Sequence, residues 1–346
     1  MKKFFHILKI VLVTIAVLLG AAFIMLQSPR VQTFVASKVT AKLKESIPAD
    51  IRIGKIHLKP FSTLVLEDIL IIDSSPFIPA GTEKTPVDTF FQARTVIAGF
   101  SLKGLFTGGG LEVSQARIRD AQMNLVLEGN AINLTRIFGV ASSEKKEPKP
   151  LSDKDVFSIR DVRIENMGFR MLNFGPNAKV VKGTYMPSEK GEALPKQIGI
   201  DWTDLEINNI DLRGKNLRMK GGIVTGIVSR MSFNERSGFN CLNISGEARI
   251  ERGKTIVRNI RMQDDFSSLD IPLYMMSYEN VKDFSDYINK VRMDGVIEES
   301  LLDFRTIAFF APALKDTGLK ARIYSGNLSG PVRDMDIRKV RMCLDD

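Results

Sequence analysis

The sequence predicts a mainly β protein: one N-terminal transmembrane helix, then a repeat-built β-sheet with a few short helices. Three observations predict it. Residues 10–26 carry no charged side chain. From residue 50 onward, apolar and polar residues alternate over most of the chain, as they do along strands with one wet face. One apolar pattern then recurs along that stretch, with Asp or Asn at a fixed step.

The apolar run comes first. At 1.5 Å rise per residue, residues 10–26 span roughly 25 Å, a little short of a ~30 Å hydrocarbon core. Ile7 and Leu8 close the gap, because Lys9 can snorkel to the headgroups. The competing reading is a cleaved signal peptide, with Gly20-Ala21-Ala22 as the cleavage site. The run continues through Phe23-Ile24-Met25-Leu26 without a polar boundary, which favours an uncleaved anchor. Lys2, Lys3 and Lys9 place the N-terminus in the cytoplasm. Ser28-Pro29 opens a second helix, Ser as N-cap and Pro at the first helical position. Val31, Phe34, Val35, Val39 and Leu43 fall near one face of it, as expected of a helix capping a sheet or lying on a membrane.

The repeated pattern is apolar-x-apolar-x-x-apolar-x-apolar. It appears at Ile51, Ile53, Ile56, Leu58 and at Leu64, Leu66, Ile69, Ile71. It returns at Ala116, Ile118, Ala121, Met123, at Val162, Ile164, Met167, Phe169 and at Leu205, Ile207, Ile210, Leu212. Further copies are Thr255, Val257, Ile260, Met262 and Met335, Ile337, Val340, Met342. Strand side chains alternate faces, so the x-x step breaks parity. A β-bulge restores it, keeps both arms on one face and bends the strand. Asp68, Asp120, Asn166, Asn209 and Asn259 stand just before the second arm, and Asp and Asn tolerate a left-handed backbone. This spacing suits a repeat architecture; a β-sandwich with a shared turn preference is the alternative.

Two stretches interrupt the strands. Residues 142–155 (SSEKKEPKPLSDKD) are charged and almost free of apolar side chains, as a linker or loop is. Val281, Phe284, Tyr287, Ile288 and Val291 have helical spacing, and residues 301–310 suggest a second short helix stopped by Pro312. The expected organisation is therefore an anchor over residues 1–27 and a capping helix over 28–48. β modules follow over 49–141, a linker over 142–155 and further modules over 156–346. A helical insertion is expected at about 278–316.

The charge pattern and side-chain inventory narrow the function. Lys and Arg exceed Asp and Glu by 49 to 40, a formal charge of +9. The basic residues alternate with apolar ones, as in Arg117-Ile118-Arg119, so solvated strand faces or lipid headgroups fit them. No nucleic-acid motif accompanies them. The two histidines, His6 and His57, and two distant cysteines, Cys241 and Cys343, offer no zinc spacing. His57 lies between Ile56 and Leu58 and reads as a strand-face residue, not a triad member. Gly253-Lys254-Thr255 lacks the earlier glycine of a phosphate-binding loop, where Ala248 stands. No enzyme active site, cofactor or metal is expected.

The segment SPRVQTFVASKVTAKLKESIPADIRIGKIHLKPFSTLVLEDILIIDS after the anchor resembles the start of TamB-like members of the AsmA family. FSLKGL at residues 100–105, residues 113–127 and Asn133-Leu134 also look like that family. So do MSFNERSGFNCLNISGEARI, LLDFRTIAFFAPAL and SGNLSGPVRDMDIRKVRM. The resemblance implies a taco-shaped, apolar-lined β-groove, anchored in the inner membrane and projecting into the periplasm. It implies passage of phospholipid, or another acyl-chain lipid, toward the outer membrane. It also links the chain to assembly of outer-membrane β-barrel proteins and to autotransporter secretion. Family members are usually longer, so this chain resembles an N-terminal portion or a short paralogue.

The candidate groove residues are Ile118, Met123, Leu125, Ile164, Phe169, Met171, Ile207, Leu212, Val257 and Met262. Met suits such a lining, because its flexible thioether adapts to varied apolar shapes. Two other functions stay open. One is a scaffold that aids barrel insertion through exposed strand edges. The other is a membrane-tethered adhesion or signalling domain with a closed core.

Overall fold

The computed structural model describes residues 49–59, 63–73, 88–100, 111–128, 131–137, 157–173, 199–202, 204–279, 283, 287–311, 314 and 317–345. The proposed anchor, the capping helix and the 142–155 linker lie outside them. No described helix is long and apolar enough to cross a membrane.

The alternating pattern forms one sheet. Strands β1 (Ala49–Lys59), β2 (Thr63–Asp73), β3 (Thr89–Phe100) and β4 (Leu111–Glu128) lie side by side in chain order. After the short β5 (Ala131–Ile132), which pairs only with β4, come β6 (Phe157–Asn173), β7 (Asp204–Lys220) and β8 (Ile223–Glu235). The order continues through β9 (Asn240–Glu251), β10 (Lys254–Asp264), β11 (Ser268–Ser277), β12 (Arg292–Asp303), β13 (Lys320–Pro331) and β14 (Asp336–Asp345). The chain is thus a meander, with antiparallel pairs throughout except one. β4 and β6 are parallel, from Leu111 opposite Phe157 to Leu127 opposite Asn173.

Local chemistry sets the turns. Gly221 and Gly222, at φ 57° and 77°, join β7 to β8, the two left-handed positions of a tight hairpin. Between β10 and β11 the Asp264 carboxylate accepts from the backbone of Phe266 and Ser267 at 2.7 and 2.6 Å. Gly253, at φ 72°, turns β9 into β10; a Cβ there would sit 2.8 Å from the Tyr278 carbonyl. The motif once compared with a phosphate-binding loop is therefore a hairpin turn.

The predicted kinks are real. Asp68, Asp120, Asn166, Asn209 and Asn259 all have φ between 48° and 56°. Lys339, at the same step in β14, has φ 52°, although nothing in its side chain favours that conformation. Only the first copy lacks a left-handed residue.

Among the described residues three short α-helices accompany the sheet: α1 (Asn133–Ile137), α2 (Tyr287–Lys290) and α3 (Phe304–Phe310). Ile137 of α1 is fully buried against Ala49, Ile51 and Phe90. The expectation of a helical insertion over 278–316 needs correction. β12 runs through the middle of that segment and pairs with β11 and β13. Val291, Met293 and Gly295 are buried alternately with Arg292 and Asp294, a period of two that the helical spacing upstream concealed. The second helix also starts later than residue 301, because Leu301, Leu302 and Asp303 complete β12. Asp303 then caps α3, accepting from the Arg305 backbone at 2.9 Å.

Candidate functional site

Residues opposite one another in a ladder share a face of the sheet. One such row is apolar over ten strands. It runs from Ile56 through Leu66, Val96, Ile118 and Ile164 to Leu212. It continues through Met231, Ile244 and Met262 to Leu269. At about 4.8 Å per strand this is an apolar track of roughly 40 Å. Apart from Ile56, which is buried, every member is half-buried.

A second row follows the kinks: Ile53, Ile69, Ala93, Ala121, Met167 and Ile210. Here Ile69, Ala93, Ala121 and Met167 are buried, at 4 to 9% exposure. Val96, Ile118 and Ile164 on one side of it, and Phe91 and Met123 on the other, pack against the same Ala93–Ala121–Met167 cluster. The bulge expected from the sequence is not what keeps both arms on one face: β1, β2, β3, β4 and β6 all make the same step in register, without a shift between partners, so the strands kink together. On the reverse face at the same step, Asp68, Arg94, Asp120, Asn166, Asn209 and Asp211 are all exposed. Buried floor on one side and exposed ridge on the other mean that the sheet bends along the kink line toward its apolar face. The result is a trough.

The ridge is tied together by polar contacts. Asn166 donates to Asp120 at 2.8 Å, and Arg94 lies 3.5 Å from the same carboxylate. The Asn166 backbone N–H donates to Asp211 at 3.0 Å. Further along, Asn209 donates to Asn234 at 3.1 Å, and Asn240 to Asp265 at 3.1 Å.

All ten candidate residues fall on the trough face. Ile118, Ile164, Leu212 and Met262 belong to the ten-strand row. Met123, Phe169 and Ile207 form another with Ile51, Ile71 and Phe91. Leu125 pairs with Met171, and Met171 with Leu205. Val257 stands apart from the other nine, opposite Ala248 and Tyr274. Its face is fixed by Gly246, whose missing Cβ would lie 3.4 Å from Val257 and 3.5 Å from Ile260. Sequence reasoning missed Val96, Met231, Ile244 and Leu269, because β3, β8, β9 and β11 carry no copy of the repeat.

Polar groups close one end of the trough. The Met123–Phe169–Ile207 row ends at Glu235, which is buried and accepts from Ser237 at 2.8 Å. On the reverse face of the same end, Arg170 grips Asp204 with two bonds of 2.8 and 2.9 Å, and Arg236 lies 3.3 Å from Asp204 and 3.4 Å from Glu206. α3 covers the same end through Phe309 and Phe310, whose rings each lie 5.4 Å from Phe239.

The remaining reactive groups are structural where they are described. Thr306 donates to Asp264 at 2.7 Å, and its hydroxyl lies 2.7 Å from that of Ser267, so Asp264 clasps α3 to a hairpin turn. Cys241 is buried and Cys343 exposed, and no disulfide joins them. Burial, and Asp264 nearby, push the Cys241 thiol up to about 11. His57 lies 3.4 Å from Glu67 on the polar face of β1. Among the described residues no group of His, Cys, Asp or Glu is placed to hold a metal ion.

In comparison with known proteins, no family model matches the chain, and no curated protein matches it either.

Proposed function

We propose that this chain is an inner-membrane-anchored protein of the cell envelope that conducts phospholipid along its apolar β-trough toward the outer membrane, as a TamB-like member of the AsmA family. The observation that carries the reading is the ten-strand apolar row, half-buried along almost all its length. A closed β core would bury its inward rows as completely as Ile69, Ala93, Ala121 and Met167 are buried here. Half-buried walls above a buried floor leave apolar surface available along a continuous track. Acyl chains moving from Ile118 toward Leu269 meet Ile, Leu and Met at every strand, and no polar side chain in that row interrupts them. A uniform lining of this kind holds no position tightly, so passage along it stays easy.

Photo-crosslinking in cells tests the proposal. A photoreactive residue at Phe169 or Leu212 is expected to capture phospholipid. Arg258 is the control, because it follows Val257 along β10, is exposed and lies on the reverse face. Arg170 is a poor control, since its guanidinium holds Asp204. Phe169→Asp is expected to block lipid passage while the sheet stays folded, because water reaches a half-buried wall. Loss of fold without any lipid crosslink at Phe169 or Leu212 would favour a closed core. Equal capture at Leu212 and Arg258 would refute the trough as the lipid path.

A further inference from the structure

The reverse face of the sheet carries its own row, and it is basic. Arg117 stands opposite Arg163, Arg163 opposite Arg213, and Arg213 opposite Arg230. Four guanidinium groups thus occupy directly opposed positions on four adjacent strands, about 4.8 Å apart from strand to strand. Each is the chain neighbour of a member of the apolar row: Ile118, Ile164, Leu212 and Met231. Arg163, Arg213 and Arg230 are exposed and Arg117 is half-exposed.

Like charges directly opposite one another destabilise a sheet. Other arginines of the same sheet avoid this by holding carboxylates: Arg119 with Glu165 at 2.5 Å, Arg249 with Glu251 at 2.9 Å, Arg261 with Asp270 at 3.5 Å. None of the four in the row has an ion pair among the described residues. Two of the carboxylates that border them are engaged elsewhere. Glu165 holds Arg119 and Asp211 accepts from Asn166, while Asp161, exposed two residues before Arg163, stands opposite Lys215.

Position along the bend decides what such a row fits. Arg117 and Arg163 lie three residues before the kinks at Asp120 and Asn166, and Arg213 four after the kink at Asn209. The row therefore runs beside the convex ridge. A convex ridge meets a flat surface along a line, and this line carries charge of one sign. The row contains no aromatic side chain on which bases would stack, unlike single-stranded nucleic-acid sites. Beyond Arg117 the ladder continues through Ile97, Val65 and His57, and Val65 is buried, so its exposed charged part is the four arginines.

We propose that the Arg117–Arg163–Arg213–Arg230 row docks the ridge of the sheet onto an anionic phospholipid bilayer surface. The contact is electrostatic and lies on the face opposite the trough, so it stands whether or not the trough carries lipid.

The test uses the full chain in nanodiscs of phosphatidylcholine, mixed with vesicles of phosphatidylcholine alone or with phosphatidylglycerol. Flotation is expected to carry the protein with the anionic vesicles and not with the neutral ones. Near 1 M salt, where screening reaches within ~3 Å, the association is expected to vanish. Replacing all four arginines by Gln should weaken partitioning on the order of 10- to 100-fold, from the loss of several near-surface charges. The control replaces Arg252, Arg258, Arg322 and Arg333 by Gln, four exposed arginines outside the row. It makes the same change in net charge and should leave partitioning intact. Equal loss in the control would overturn the proposal, since net charge alone would explain binding. So would absence of flotation with anionic vesicles, or binding of a single-stranded oligonucleotide that depends on the same four residues. Should the fourfold variant fail to fold, the Arg163→Gln, Arg213→Gln pair serves instead, with a smaller loss expected.

Discussion

Asn166 donates its side-chain amide to the Asp120 carboxylate over 2.8 Å, joining the left-handed residue of β6 to the left-handed residue of its parallel neighbour β4. The two kinks are stitched side by side. Because the bond crosses strands at the bend, it keeps the kinks of β4 and β6 in line. The trough floor beneath, Ala121 opposite Met167, inherits that alignment.

The left-handed backbone at Asn166 gives the first prediction. A β-branched side chain pays steric energy at φ 56°, whereas glycine does not. Asn166→Val should destabilise the sheet by about 2–3 kcal/mol, from conformational strain plus the lost bond to Asp120. Asn166→Gly should cost only about 1 kcal/mol, the bond alone. Urea unfolding of the full chain in nanodiscs, followed by circular dichroism, measures both. Equal losses would show that backbone conformation is not what the position demands.

Five kinks were legible in the sequence because Asp and Asn report a left-handed backbone through their own chemistry. The kink at Lys339 was not, since lysine has no such preference and only its place in the pattern marks it. β3 breaks parity between Ala93 and Val96 with no special residue, imposed by pairing with Ile69 and Leu66 on one side and with Ala121 and Ile118 on the other. Register is a non-local property, so the Arg117–Arg163–Arg213–Arg230 row was invisible along the chain, where its members are 17 to 50 residues apart. The strand β12 was hidden for a different reason. Its short alternation follows a stretch of helical spacing, and local patterns of that length do not separate the two.

Asp303 links acid pH to the end of the trough. Hydrogen bonding from Arg305 holds its carboxyl below the usual range, and the residue caps α3. A group with a depressed native value adds stability above its unfolded value and loses it as pH falls through the native one. α3 should therefore loosen only at a pH below ordinary carboxylate titration. Trp202 is the sole tryptophan and its ring lies 6.5 Å from Phe310 of α3, so its emission reports the event. Asp303→Ala should show the loosened emission already at neutral pH, with a loss of about 1–2 kcal/mol from the missing cap.

The two cysteines should separate cleanly by reactivity. Thiolate is the reacting form, and Cys241 is both buried and pushed up to about 11 from an ordinary 9.0. At pH 8 a maleimide should label native protein at Cys343 alone, and Cys343→Ser should leave it unlabelled. Denaturant should expose the second thiol. The raised value also means that native stability, fully present below pH 9, declines as pH rises toward 11, because the unfolded chain ionises Cys241 first. Labelling of native Cys343→Ser protein at pH 8 would show that Cys241 is accessible.

Floor and wall of the trough should answer differently to the same charge. Met167 is 9% exposed and packs between Ala121 and Ile210 at the bend. Leu212 is half-buried one row away, opposite Ile164 and Met231. An aspartate at Met167 would be an unpaired charge taken from water, which costs on the order of 3–5 kcal/mol. Aspartate at Leu212 keeps contact with solvent along the open side of the wall, and there the loss is that of apolar burial, about 1–2 kcal/mol. Unfolding midpoints of the two variants in urea should therefore fall in the order wild type, Leu212→Asp, Met167→Asp. The gap between the variants measures how open the trough is. If Leu212→Asp unfolds the protein as readily as Met167→Asp, the wall is as dry as the floor and the apolar face is a closed core.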